Sequence, residues 1–172
     1  MFEFHIRDAV QDDFSEIKRL NDKFVHFTSP MELARIEQLH NLSAYHRVIE
    51  QHDKQTSEVS TVGFLLAMKP ATDYSSDNYQ WFDLRYKNFL YVDRVVIDST
   101  AQGKGLGKKL YDDLFCFALK HRIELICCEY NLIPANPISA NFHQSYGFHQ
   151  VGRLDADDKS KVVSMQIVKL PN

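Results

Sequence analysis

The sequence predicts a mixed α/β domain, and three observations carry that prediction. Strand-like and helix-like apolar patterns alternate along the chain. The most regular strand pattern, residues 89–97, runs at once into a glycine-rich turn and an amphipathic helix pattern. No internal repeat, low-complexity tract or linker interrupts the order, and 172 residues suit one domain, 1–172, around one core.

Taken in order, Phe2, Phe4 and Ile6 alternate with polar residues and predict a first strand with one buried face. Asp12 and Asp13 precede Phe14, Ile17, Leu20 and Phe24, whose spacing places them on one helical face. Ser29-Pro30-Met31-Glu32 reads as a capping box with proline at the first helical position, opening a second helix to about Leu39. Residues 43–51 and 59–69 read as a hairpin across the polar segment 52–57. Residues 70–88 read as a long polar loop with Tyr74, Tyr79, Trp81, Phe82 and Tyr86, a length that in a compact domain points to function. Residues 89–97 form a strand and 105–121 an amphipathic helix defined by Leu106, Leu110 and Leu114 with Tyr111, Phe115 and Ala118. Residues 123–129 are a buried strand, 138–146 a short helix ended by Gly147, and 148–152 and 162–168 two strands about a charged turn at 155–161.

Composition removes several function classes. A net charge of −3 lacks the basic excess of a nucleic-acid protein and is too mild for a disordered chain. Acidic residues near the start and the absence of a long apolar run predict no signal peptide and no spanning helix, hence a cytoplasmic protein without a membrane partner. Cys116, Cys127 and Cys128 are odd in number, two of them adjacent, and give no disulfide framework. The histidines form no metal-ligand spacing, so no metal is expected.

The chemistry concentrates after residue 97. Gly103, Gly105 and Gly107 let backbone N–H groups approach a ligand. The following helix start adds unpaired donors and partial positive charge, and Lys104, Lys108 and Lys109 add full charges. The segment thus suits a pyrophosphate. It does not satisfy the GxxxxGK[ST] pattern, and its GxGxG run in mid-chain differs from the GxGxxG dinucleotide fingerprint. A glycine-rich turn with solvated lysines is the plain alternative.

Gln102-Gly103-Lys104-Gly105-Leu106-Gly107 resembles the Gln-x-x-Gly-x-Gly acyl-CoA signature of the GNAT superfamily of N-acyltransferases. Asn136-Pro137-Ile138-Ser139-Ala140-Asn141-Phe142-His143-Gln144-Ser145-Tyr146-Gly147-Phe148 resembles that superfamily's second motif, Asn-x-x-(Ala/Ser)-x-x-(Leu/Phe)-(Tyr/His)-x-x-x-Gly-Phe. The likeness covers about 59–154, and Asn78-Tyr79-Gln80-Trp81-Phe82 looks like the aromatic segment of a bacterial-type group within it. The resemblance implies a GNAT-like α/β fold, a mixed and mostly antiparallel sheet flanked by helices, with acetyl-CoA as acyl donor and an amine as acceptor. It implies that the backbone of Val95, Val96 and Ile97 pairs with pantetheine and that Gln102, Gly103, Lys104, Gly105, Leu106, Gly107 and Lys108 hold the pyrophosphate. It further implies that Asn136 hydrogen-bonds pantetheine, that Ser139 starts the adjoining helix, and that His143 stands where a tyrosine protonates the departing thiolate.

An imidazole of ordinary, near-neutral pKa suits that proton transfer; the alternative for His143 is a CoA contact or a surface helix residue. Two carboxylates are candidate bases for the amine. Asp93 shares a strand face with Tyr91, Val95 and Ile97, where burial favours either a raised pKa or an ion pair with Arg85 or Arg7; alternation directs Arg94 to the opposite face. Glu129 ends the next strand, beside the acceptor cleft that the resemblance implies, or is a solvated strand-end charge. Cys127 and Cys128 read as core residues, which disfavours an acyl-cysteine route. Asp73, Asp77 and Asp83 with the loop aromatics either attract a cationic amine or pack that loop on the core. The expected reaction is direct attack of the amine on the thioester in a ternary complex, polarised by backbone donors near Val96. The rivals are a non-catalytic acyl-CoA sensor or partner-binding module and a nucleotide-binding protein using the same turn. A homodimer is compatible with the sequence.

Overall fold

The computed structural model describes residues 1–26, 28–155 and 160–171. Its elements run β1 (Phe2–Asp8), a 3₁₀ turn (Gln11–Asp13), α1 (Phe14–Lys23), α2 (Leu33–Leu42), β2 (Tyr45–Asp53), β3 (Val59–Met68), α3 (Asp77–Asp83), β4 (Phe89–Ile97), α4 (Leu106–Lys120), β5 (Leu125–Ile133), α5 (Pro137–Ser145), β6 (His149–Asp155) and β7 (Val162–Lys169). The contacts group into two units, Met1–Met68 with Asp93–Phe117, and Lys69–Val92 with Ala118–Asn172.

In the first unit the strand order is β1-β2-β3-β4, with β1, β2 and β3 antiparallel neighbours. The register of β2 on β3 shifts between Ile49 and Glu50, which leaves Val62 as an extra residue on β3; its carbonyl accepts from Asp98 N at 2.8 Å. Ile17, Leu20, Ile36 and Leu39 bring α1 and α2 into a core with Val48 and Phe64. Each such side chain contributes about 1.5–3 kcal/mol by leaving water. β1 buries less than its alternation predicts: Phe2 is exposed and Phe4 half-buried, and the Lys104 ammonium lies 5.3 and 5.8 Å from their ring centroids.

In the second unit the order is β4-β5-β7-β6. Phe89–Tyr91 run parallel to Leu125–Cys127, while β7 is antiparallel to both β5 and β6. β4 is divided between the units, Phe89–Val92 in the second and Asp93–Ile97 in the first; the described residues form seven strands, mixed and mostly antiparallel, with helices. Tyr79 and Phe82 pack on Tyr91 with ring centroids 5.6 and 5.8 Å away. No helix among the described residues is long and apolar enough to cross a membrane.

Three expectations are corrected. The second helix starts at Leu33 and not at the Ser29 capping box. Ser29 is taken by tertiary partners instead: its carbonyl accepts from Asn21 Nδ2 (2.9 Å) and Arg94 Nη1 (3.2 Å), and buried Met31 anchors the approach. The 70–88 segment is not all loop, because Ser76 caps α3 by accepting from Tyr79 N. The strand expected to stop at Glu129 continues to Ile133, held by β7, so Glu129 lies within a strand. The charged turn expected at 155–161 falls largely outside the described residues.

Candidate active site

The glycine turn is built from the end of β4. Asp98 is buried and ties the turn down through both carboxylate oxygens. Oδ1 accepts from Thr100 N and Thr100 Oγ1, both at 3.0 Å, and Oδ2 accepts from Lys23 Nζ (2.8 Å) and Arg19 Nη1 (3.1 Å) of α1. Burial pushes the Asp98 carboxyl up, but the bonds from Lys23, Thr100 and Arg19 together hold it well below the usual carboxylate range. Gln102 Nε2 closes the turn on the Ile97 carbonyl at 3.1 Å.

Gly103 and Gly105 have φ of +77° and +74°, the left-handed region that glycine enters without strain. A Cβ at either position would meet no heavy atom within 4 Å, so the backbone there borders open space at the start of α4. Backbone N–H groups that border open space at a helix start can take an anionic group such as a phosphate. The lysines are less committed than their charge suggests. Lys108 Nζ is 2.7 Å from Asp112 Oδ2, and Lys104 lies over the β1 rings within 3.5 Å of Gln51 Oε1. Asp98 escaped the sequence reading, although Asp-Ser-Thr after a strand is a turn-forming signal.

Asp93 lies in an ion pair and not with the partners expected for it. Arg94 Nε donates to its Oδ2 at 2.6 Å, and the two side chains are 4% and 6% exposed. Arg94 also donates to Asn21 Oδ1 at 2.9 Å. The ion-pair alternative therefore holds, with the partner that alternation had made a poor one. Arg7 serves Asp13 and Glu50, and Arg85 serves the Trp81 carbonyl. A carboxylate engaged this way is a structural clamp on β4, not a base facing solvent.

In the second unit, Asn136 caps α5: its Oδ1 accepts from Ser139 N at 3.1 Å, with Pro137 opening the helix. His143 is 4% exposed, so it is not a surface helix residue. Its Nδ1 donates to the Ser139 carbonyl at 2.7 Å, and the ring lies against Tyr130, Phe142 and Phe148. Burial lowers its pKa to about 4, against a smaller upward push from the Ser139 bond. The near-neutral imidazole expected there is instead a neutral ring at pH 7.

Glu129 is not a solvated charge. Its Oε1 accepts from Asn78 Nδ2 (2.8 Å) and Tyr91 Oη (3.1 Å). Asn78 and Tyr91 carried no role in the sequence reading; the pairing needs the packing of α3 on β4, which no local pattern announces. Cys127 and Cys128 are core residues whose thiols burial pushes well up. Tyr74, Tyr79 and Phe82 pack inward, so the core-packing alternative holds for the loop aromatics. Asp83 accepts from Ala71 N and Tyr79 Oη, whereas Asp77 lines a cavity of about 540 Å³ with Asn78, Leu154, Asp155, Lys161 and Val163. Among the described residues no group of three or more His, Cys, Asp or Glu side chains could hold a metal ion.

The family model for the acetyltransferase (GNAT) domain matches residues 81–169, just over half of the 172. The chain belongs to the GNAT acetyltransferase family. The matched stretch contains Asp93, the glycine turn, Glu129 and the Asn136–Gly147 motif, and leaves Asp77 and Asn78 outside. The Bacillus subtilis spermine/spermidine N(1)-acetyltransferase is 38% identical over 77 residues, 43% of this GNAT chain and 48% of that protein. The chain thus spans about half the length of that curated relative. Among solved GNAT-like structures, Ard1 from Thermoplasma volcanium has a TM-score of 0.72 at 17% identity, covering 98% of this chain and 99% of that one. An acetyltransferase from Salmonella typhimurium, solved with acetyl-CoA, has a TM-score of 0.68 at 18% identity, covering 99% and 95%. The ribosomal-protein-alanine N-acetyltransferase from Brucella melitensis has a TM-score of 0.67 at 17% identity, covering 96% and 99%. At such identities these structures establish the fold alone.

Proposed function

We propose that the protein is an N-acetyltransferase that moves the acetyl group of acetyl-CoA to a primary amine by direct attack in a ternary complex. The observation that carries this reading is the left-handed Gly103–Gly105 turn at the start of α4, anchored by Asp98, in a chain of the GNAT family. The turn from Gln102 to Lys108 takes the pyrophosphate on backbone N–H groups. Val95, Val96 and Ile97 offer strand backbone to pantetheine. Asn136 spends its carbonyl oxygen on the α5 cap, and its NH₂ has no partner among the described residues, which suits it to donate to the same arm.

Acetyl-CoA supplies a thioester whose carbonyl carbon is open to attack. Glu129 is the base: it takes one proton from the acceptor ammonium, and the freed lone pair forms the N–C bond. As the C–S bond breaks, the sulfur leaves with the electron pair, and the second amine proton ends on it as the thiol. Asn78 and Tyr91 hold the Glu129 carboxylate by donating to one of its oxygens. A backbone N–H near Val96 polarises the carbonyl. A neutral His143 is a poor source for the thiol proton, so its part is to hold the Ser139 turn of α5. The same burial of His143 favours the second reading, a non-catalytic acyl-CoA binder. The Bacillus relative makes polyamines one acceptor class; amino acids and peptide N-termini are others.

The test pairs binding with turnover. Acetyl-CoA raises the melting temperature of the wild type more than NAD or ATP does, the rise vanishes in Gly105→Glu, and thiol is released with at least one member of a broad amine panel. Equal stabilisation by NAD and ATP refutes the donor assignment. Selective acetyl-CoA binding without thiol release refutes the enzyme and supports the sensor.

A further inference from the structure

The cavity beside α3 carries charge that the reaction itself does not use. Of its ionic lining, Asp155 is already engaged, its Oδ1 accepting from Arg153 Nε at 2.6 Å. Asp77 and Lys161 make no side-chain hydrogen bond or ion pair among the described residues, and both are exposed. One carboxylate and one ammonium therefore stand in the same cavity without neutralising each other. Leu154 and Val163 supply apolar wall between the polar groups, and about 540 Å³ falls within the ~300–1,000 Å³ of small-molecule sites.

The unpaired charges of the cavity come from different elements. Asp77 and Asn78 belong to α3, and Asn78 also donates to Glu129 at 2.8 Å. Lys161 stands at the start of β7. Beside the cavity, Trp81 of α3 lies so close on Gly152 of β6 that a Cβ there would clash with the indole, and Arg85 stacks over the same indole at 4.0 Å. A dication such as a linear polyamine would bring one ammonium toward Lys161. A neutral amine would leave both charges unanswered.

We propose that this cavity receives the acceptor and selects a zwitterion of amino-acid type, its carboxylate on Lys161 and its ammonium toward Asp77 and Asn78. The proposal rests on the acetyltransferase reading and names its substrate class. It adds no chemical step: the ammonium placed there is the one that Glu129 deprotonates.

The full-length protein with saturating acetyl-CoA is assayed for thiol release against the free amino acids, their methyl esters and spermidine. Masking the carboxylate as an ester lowers kcat/KM about 10–100-fold, the value of one charge-assisted contact. Lys161→Glu reverses the order, so that esters and spermidine exceed the free amino acids. Asp77→Asn raises the acceptor KM and leaves the acetyl-CoA KM unchanged. Esters as good as acids in the wild type, or an order of preference unmoved by Lys161→Glu, overturns the inference while the acetyltransferase stands. If no amine releases thiol, the catalytic reading has failed instead, and calorimetric titration of the amino acids decides this one separately. Binding that Lys161→Glu abolishes sustains the zwitterion site; no binding of any amino acid overturns it.

Discussion

Asp98→Asn isolates the anchor of the glycine turn. The amide oxygen of asparagine can still accept from Thr100 N and Oγ1, but its NH₂ faces Lys23 and Arg19, neither of which can accept. Two hydrogen bonds to a buried carboxylate are lost, each worth ~1.5–3 kcal/mol. The carboxylate is 6% exposed, but both cations are 41% exposed and regain water, which cuts the net loss to about 2 kcal/mol. In a chain of this size that lowers Tm by ~4–8 °C at pH 7.

The same substitution has a pH signature. Asp98 has its pKa depressed in the folded state, so its contribution is complete above the unfolded value of ~3.9 and is lost as pH falls through the lower folded value. His46 and His143, both lowered to about 4 by burial, weaken the fold as pH drops from ~6.5 toward 4. They do so equally in wild type and variant, and the difference in Tm cancels them. Thermal melts followed by circular dichroism from pH 8 to pH 3 should give a constant difference down to about pH 5, narrowing below about pH 4. A difference under about 1 °C at pH 7, or one as large at pH 3 as at pH 7, refutes the assignment.

Two further outcomes follow from the second unit. Glu129→Gln keeps an oxygen for Asn78 and Tyr91 but cannot take a proton; kcat falls ~10²–10⁴-fold with acetyl-CoA KM unchanged in steady-state thiol-release kinetics, and an unchanged kcat removes Glu129 as base. Gly152→Ala forces its Cβ into Trp81, costing about 1–3 kcal/mol by overpacking and raising the acceptor KM by moving α3; a melt and kinetics identical to wild type would falsify the tight contact.

What the sequence made legible was local. β4 and α4 match their patterns because both are long and regular, and the turn between them is specified by contiguous residues. α2 was misplaced because Ser29, a good N-cap by type, is claimed by Asn21 and Arg94. α3 hid in a polar segment because only Tyr79 and Phe82 mark its buried face over seven residues. Asp93 and Arg94 show the limit of strand alternation. It fixes where Cβ points, not where a long guanidinium ends, and Arg94 curls back to its neighbour. The acid–base groups were least legible, since the burial that keeps His143 neutral and the bonds that hold Glu129 come from residues far along the chain.

That difference separates donor from acceptor recognition in this chain. The proposed donor turn would work through backbone: glycine conformation and an aspartate anchor shape it, while Lys108 is engaged by Asp112 and Lys104 lies on β1. The proposed acceptor cavity would work through side chains on α3 and just before β7. α3 presents two faces with different consequences. Its buried face, Tyr79 and Phe82, packs on Tyr91 and so sets the position of Asn78 against Glu129; a change there costs stability, about 3–5 kcal/mol for Phe82→Ala. Its exposed face carries Asp77, where a change costs the fold little and alters the charge that an incoming amine meets. On the zwitterion proposal, acceptor choice therefore shifts by substitution at Asp77 and Lys161 without disturbing either the core or the glycine turn.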